Sequence, residues 1–263
     1  MRLGIIGHGA IGRQVVEAGR RGTLAGVDIA AVLVRTPRQE PLDAPLIHEP
    51  DRFFEAQPDV VLECAGHQAV RDHGSRCLER GADLVLTSIG ALTDDALRIR
   101  LENAARSAGK RLVLASAGIG ALDILSAAAV GGLDRVVMTV RKDPSAWYGT
   151  EAESLCDLAH LRASFVVYDG PVREGARRYP QNVNIAAAVA LAGIGLDRTR
   201  LTIVADPTIR THVVEIEAAG AFGSFRFLED VTPSADNPKT GKLVAMAVVK
   251  TIRQLAAPVV IGA

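Results

Sequence analysis

The residues Gly7-His8-Gly9-Ala10-Ile11-Gly12 space three glycines as G-x-G-x-x-G, a spacing suited to holding a pyrophosphate. The first glycine allows a tight turn, the second lets phosphate oxygens approach the backbone, and the third lets a helix pack closely on a strand. A helix opening inside the motif adds free N–H groups and the positive end of its dipole. Gly7, Gly9, Ala10, Ile11 and Gly12 are therefore candidate contacts for a dinucleotide, the plain alternative being a glycine turn between strand and helix.

The group that reads the ribose falls at the end of the second strand, where NAD-selective sites usually carry Asp or Glu. Here the sequence is Val34-Arg35-Thr36-Pro37-Arg38. A guanidinium at Arg35 can receive a 2′-phosphate through charge-assisted hydrogen bonds and can stack on adenine. NADP is admitted on this reading alongside NAD; otherwise Arg35 and Arg38 form a solvated basic turn.

These residues must be positioned by a chain of 263 residues, 48% hydrophobic, which is enough for one large domain or two modest ones. Thirty Lys and Arg balance thirty Asp and Glu. No long-range field draws in nucleic acid or an anionic membrane, and an anionic ligand must be caught by local charge. The cysteines Cys64, Cys77 and Cys156 are scattered and never paired as C-x-x-C, against a disulfide framework or a zinc site. His48, His67, His73 and His160 lack metal-ligand spacing, so no metal is expected. The first apolar run is too short for a signal peptide, and charges interrupt every stretch approaching a membrane span. A soluble cytoplasmic protein is the expectation.

In the first half, short apolar runs at 3–6, 29–34, 60–63, 84–87 and 112–115 alternate with helical spacing at 11–20, 67–80 and 94–108. Strands apolar on both faces and separated by helices predict a doubly wound parallel sheet. After residue 131 strands follow strands, at 135–141, 164–168, 200–205, 212–218 and 222–228, with helices at 121–130 and 184–192. That predicts an α+β domain, more antiparallel, with helices on one face. A helical stripe over 240–255 then returns to the first domain. The expected division is 1–115 with 241–263 for the dinucleotide, and 116–240 for the substrate.

Several blocks in the second half carry a resemblance. They are Ser116-Ala117-Gly118-Ile119-Gly120-Ala121-Leu122-Asp123, Arg141-Lys142-Asp143-Pro144 with Trp147 and Gly149-Thr150, and Tyr179-Pro180-Gln181-Asn182-Val183-Asn184-Ile185-Ala186-Ala187. Ala205-Asp206-Pro207, His212 through Glu217, Gly220-Ala221-Phe222-Gly223 and Asp236-Asn237-Pro238-Lys239-Thr240 complete the set. Together they resemble the L-aspartate dehydrogenase family, from the first strand to the last helix. The resemblance implies a Rossmann domain plus an α+β domain, a homodimer, and NAD- or NADP-dependent oxidation of L-aspartate. The product is iminoaspartate, which hydrolyses to oxaloacetate and ammonia or feeds NAD biosynthesis. The family's active-site histidine falls on His212, and its nicotinamide-side contacts fall on Asn184 and the 116–118 turn. That turn departs from the family's pattern: Ser-Gly-Ala-Ile-Gly-Gly is expected and Ser-Ala-Gly-Ile-Gly-Ala is read, so either Ala117 or Gly118 makes the contact.

The chemistry fits such a role. Removing hydride from the Cα of an amino acid needs a neutral amine, and the later carbinolamine steps need a proton relay near neutral pH, both within reach of histidine. Alternation along His212-Val213-Val214-Glu215-Ile216 puts His212 on the buried face, where an imidazole is less readily charged. The plain alternative is a satisfied core histidine. Aspartate carries two carboxylates, so the candidates to meet it are Arg141, Lys142, Lys239 and Arg210, with Thr240 and Asn184 as neutral donors. Arg141, Lys239 and Thr240 form the expected substrate set, Lys239 in a turn that could act as a lid. Two rival functions stay open. One is a cysteine-dependent aldehyde dehydrogenase built on Cys156 with His160; the other is a sensor that binds NAD(P) without turnover.

Overall fold

Val60-Val61-Leu62-Glu63 is buried along its whole length, as a strand covered on both faces must be. The computed structural model describes residues 1–37, 44–116, 118–180, 184–234 and 241–262. The chain forms two units, Met1–Ala117 with Ala245–Ala263, and Gly118–Val244.

The first unit runs β1 (Arg2–Ile6), α1 (Ala10–Arg20), β2 (Asp28–Leu33), β3 (Leu46–Ile47), α2 (Pro50–Glu55), β4 (Val60–Glu63), α3 (His67–Glu79), β5 (Asp83–Leu86), α4 (Asp95–Ala108) and β6 (Leu112–Leu114). Its sheet has the order β3-β2-β1-β4-β5-β6 with every pairing parallel. The doubly wound Rossmann arrangement is thus confirmed. The chain leaves β1 toward β2 and returns to β4 on the other side, so the order reverses between β1 and β4, where such sheets open a crevice at the strand ends. Asp94 caps α4 by accepting the Leu97 N–H at 3.2 Å, and Gly109 ends it at φ +63. The short α2 was not expected. Six residues with Pro50 at the start leave too little helical period to read, yet Phe53 and Phe54 are buried.

The second unit contains α5 (Leu122–Gly131), β7 (Leu133–Lys142), α6 (Ala152–Leu155), β8 (Phe165–Pro171), α7 (Val172–Arg178), α8 (Asn184–Ala192), β9 (Arg200–Ala205), β10 (His212–Gly220) and β11 (Gly223–Val231). The sheet order is β11-β10-β7-β9-β8, parallel between β7 and β9 and antiparallel elsewhere. Val136, Met138 and Val140 of β7 and Val214 and Ile216 of β10 pack in one core with Leu125 of α5 and Val189 of α8. The opposite face carries cross-strand ion pairs, Arg135–Glu217 and Arg226–Glu215. Helix α7 also escaped the sequence reading, because Gly175 sits inside it. A Cβ there would lie 2.8 Å from the Leu201 side chain, so glycine is what lets the helix settle on β9.

The last helix, α9 (Leu243–Ala256), buries Val248 and Ile252 in the core that also holds Val15, Leu62 and Val85 of the first unit. No helix among the described residues is long and apolar enough to cross a membrane.

Candidate active site

In the first unit the glycine loop has the geometry its spacing asks for. Gly7 lies at φ +106, and a Cβ on it would stand 2.9 Å from Ala65. At Gly12 a Cβ would come within 2.2 Å of the Gly7 carbonyl oxygen, so α1 can approach β1 only with glycine there. Around Gly9 a Cβ would meet nothing within 4 Å, and no side chain caps α1. The uncapped helix N-terminus and the open Gly9 position form a cradle that fits a dinucleotide's pyrophosphate. Gly7 N–H donates to Leu33 O at 2.9 Å, tying the loop to the end of β2. Two residues past that strand, Arg35 is exposed, with no ion pair among the described residues. Arg38 lies outside the described residues.

Across the reversal point, buried Glu63 organises the end of β4. One carboxylate oxygen accepts the Ala65 and Gly66 N–H groups, both at 2.8 Å, and the Ser88 hydroxyl at 3.0 Å. The other accepts the Ser88 N–H at 3.2 Å. Burial pushes this carboxyl up, against the pull of those donors. The sequence reading missed Glu63; a carboxylate closing an otherwise apolar buried strand was the signal.

In the second unit, Val213 pairs with Arg141 across β10 and β7, with His212 and Lys142 each the next residue along its own strand. Alternation therefore places His212 and Lys142 on one face and Arg141 on the other. His212 is 7% exposed and Lys142 4%. The Lys142 ammonium lies 5.7 Å from the centre of the Trp147 ring, and the buried Trp147 indole N–H has no acceptor among the described residues. A Cβ on Gly241 would lie 3.9 Å from His212 Nδ1, so the chain passes beside the imidazole where Pro233 and Gly241 bridge.

Arg141, expected to meet substrate, pairs with Asp206, whose carboxylate also accepts the Thr208 hydroxyl at 2.6 Å and the Thr208 N–H at 2.9 Å. The Thr208 hydroxyl and the Arg141 guanidinium hold the Asp206 carboxyl down at about 2, despite its burial. Arg210 is engaged on the surface by Asp143 at 2.5 Å. Lys239, Thr240 and Ala117 lie outside the described residues, although Gly241, next to Thr240 in the chain, is placed beside His212.

The turn leading into α5 comes against α8 and β11. A Cβ on Gly118 would meet Val244 at 2.9 Å and Ile185 at 3.8 Å, which brings Gly118 to the start of α8, where Asn184 stands. Gly120 N–H donates to Glu229 at 3.3 Å. Glu229 was not singled out in the sequence, although it shares a face with Phe225 and Phe227 in an alternating strand.

Cys156 lacks the surroundings of a nucleophile. Burial and the neighbouring Asp157 raise its thiol, and His160 bonds Asp157 at 2.8 Å. Cys64 is raised by burial, and Cys77 is pushed up to about 12 for the same reason. Among the described residues no group of His, Cys, Asp and Glu could hold a metal ion.

Comparison with known proteins agrees with this geometry. Residues 123–255 match the family described as aspartate dehydrogenase, C-terminal, and residues 7–115 match the homoserine dehydrogenase NAD binding domain. The L-aspartate dehydrogenase of Pseudomonas aeruginosa is 41% identical over 257 residues, covering 96% of each chain. That of Cupriavidus necator is 42% identical over the same length and coverage. The crystal structure of aspartate dehydrogenase from Thermotoga maritima superposes with a TM-score of 0.80 over 99% of both chains, at 24% identity. Sequence identity sustained over nearly the whole length, together with the match of residues 123–255 to the family model, places this chain in the L-aspartate dehydrogenase family.

Proposed function

We propose that the chain is an NAD(P)-dependent L-aspartate dehydrogenase, oxidising the CH–NH2 group of L-aspartate to iminoaspartate, which water converts to oxaloacetate and ammonia. The observation that carries the reading is the burial of His212 and Lys142 on one face of the second sheet, in a chain with these relatives. A bound oxidised nicotinamide would supply the acceptor for the Cα hydride. Gly7, Gly9, Ala10, Ile11 and Gly12 would hold the pyrophosphate, Arg35 would face the ribose of either NAD or NADP, and Ala117 or Gly118 with Asn184 would meet the nicotinamide side.

His212 takes the proton that must leave the substrate ammonium before hydride can go. It then relays protons as water adds to the imine carbon and ammonia departs. Lys142, which shares the imidazole's face, joins Arg141 as a cation offered to the substrate carboxylates. Lys239 and Thr240 complete the substrate set, next along the chain from Gly241. The protein is a cytoplasmic homodimer on this reading, with no nucleic-acid or membrane partner, and its product can feed NAD biosynthesis.

The test is formation of reduced nicotinamide by the purified protein with L-aspartate, using NAD and NADP separately, and L-glutamate, L-alanine and L-aspartate semialdehyde as controls. Turnover confined to L-aspartate is the expected result. Activity on the aldehyde alone would transfer the chemistry to Cys156, and silence with all four would leave a nucleotide-binding module.

A further inference from the structure

The turn from Gly118 to Ala121 rests on two residues of β11. A Cβ on Gly120 would strike the Phe227 ring at 2.4 Å, so the backbone lies directly on that ring, and the same residue's N–H donates to Glu229 at 3.3 Å. Phe227 pairs with Ile216 and Glu229 with Val214 across β10. Both therefore face the side on which His212 lies, Glu229 two pairs along from the His212–Val231 pair. The turn ends in strain: Ala121 stands at φ +60 with no side chain capping α5 behind it. A non-glycine residue stays in that region only when its surroundings impose it.

Glu229 is an unusual residue for such a place. It is a carboxylate among Phe225, Phe227 and Val214, and its second oxygen is buried with no partner among the described residues. Burial pushes its carboxyl up to about 7, and the Gly120 N–H is the contact that opposes this. A side chain serving only to pack would be better apolar here, because the burial cost is offset by one hydrogen bond.

We propose that Glu229 is a positioning residue for the dehydrogenase reaction: by accepting the Gly120 N–H it fixes the 118–121 turn on β11 in the form that receives the nicotinamide half of the cofactor. The inference rests on the reading above, in which Ala117 or Gly118 contacts that part of the cofactor. Glu229 itself touches neither substrate nor cofactor and acts through the turn.

The experiment compares wild type with Glu229→Ala and Glu229→Gln by hydrogen–deuterium exchange of the peptide spanning 116–124 and by steady-state kinetics with L-aspartate and each cofactor. In Glu229→Ala the turn is expected to exchange about tenfold faster. The cofactor KM is expected to rise about tenfold while the L-aspartate KM stays within about twofold. Glu229→Gln keeps an acceptor oxygen and is expected to restore both readouts. If Glu229→Ala fails to fold, the comparison passes to Glu229→Leu, which fills the same space without an acceptor. Unchanged exchange in the alanine or leucine variant would overturn the proposal. So would faster exchange with both KM values unmoved, since the turn would then not serve the cofactor. If wild type does not oxidise L-aspartate, the functional reading has failed, and the exchange data still decide whether Glu229 holds the turn.

Discussion

His212 and Lys142 stand on one face of the second sheet, each one residue beyond the Val213–Arg141 pair of β10 and β7, and both are almost wholly buried. In the proposed reaction Lys142 offers its ammonium to a substrate carboxylate. Lys142→Met, which keeps the stem and removes the charge, is expected to raise the L-aspartate KM about tenfold to a hundredfold, leaving the cofactor KM unchanged. His212→Ala is expected to lower kcat about 10² to 10⁴-fold with cofactor binding intact. Equal loss of cofactor binding in either variant would assign the pair to the fold instead.

The glycine loop separates packing from binding at single positions. Gly12→Ala forces a Cβ to within 2.2 Å of a backbone oxygen, and destabilisation of about 1 to 3 kcal/mol or more should follow. At Gly9 a Cβ meets no protein atom within 4 Å, so Gly9→Ala should melt with wild type. Its cofactor dissociation constant should nevertheless rise by about tenfold or more, because the methyl stands where a phosphate must approach. Calorimetric titration with NADH alongside thermal melts distinguishes the two, and a Gly9→Ala protein that binds normally would remove the pyrophosphate from this loop.

That loop was legible in the sequence because its requirements are backbone requirements, met by glycine at fixed offsets. His212 was legible through family resemblance, and its burial through alternation. Which of Arg141 and Lys142 lies on the face of His212 was not legible. The two are adjacent, and which of them shares the imidazole's face depends on the register between β7 and β10, set by residues 70 positions apart. Glu63 and Glu229 escaped for a related reason: their partners, Ser88 and Gly120, are brought to them by tertiary pairing. Helix α2 was too short for its period to show, and Gly175 interrupts that of α7.

Asp206 predicts an acid-dependent loss of stability. Its carboxyl is held at about 2, below the ordinary 3.8, by Thr208 and Arg141. A lowered folded-state value means the folded protein binds the proton less readily than the unfolded chain. The stabilisation, on the order of 2 kcal/mol, is therefore complete above about pH 4 and lost as the pH falls toward 2. Asp206→Asn should be less stable than wild type by that order at pH 7 and pH 5. The gap should narrow at pH 3. Urea denaturation at the three values measures it, and a gap that does not change with pH would show that the carboxylate's charge is not what Arg141 and Thr208 stabilise.

Ala121 occupies a left-handed conformation, φ +60 and ψ +13. An L-residue with a Cβ loses about 1 to 2 kcal/mol there. Replacing it with glycine removes that strain but adds about 0.5 to 1 kcal/mol of backbone freedom to the unfolded chain. Relief exceeds cost, so Ala121→Gly is expected to gain about 0.5 kcal/mol or more and raise the melting temperature by about 1 to 2 °C. Ala121→Val moves the other way, because a β-branched side chain suits this region less than alanine does. The order Gly above Ala above Val in thermal melts is the expected result. A valine variant as stable as wild type would mean that residue 121 is not left-handed in solution, and that the turn on Phe227 and Glu229 takes another form.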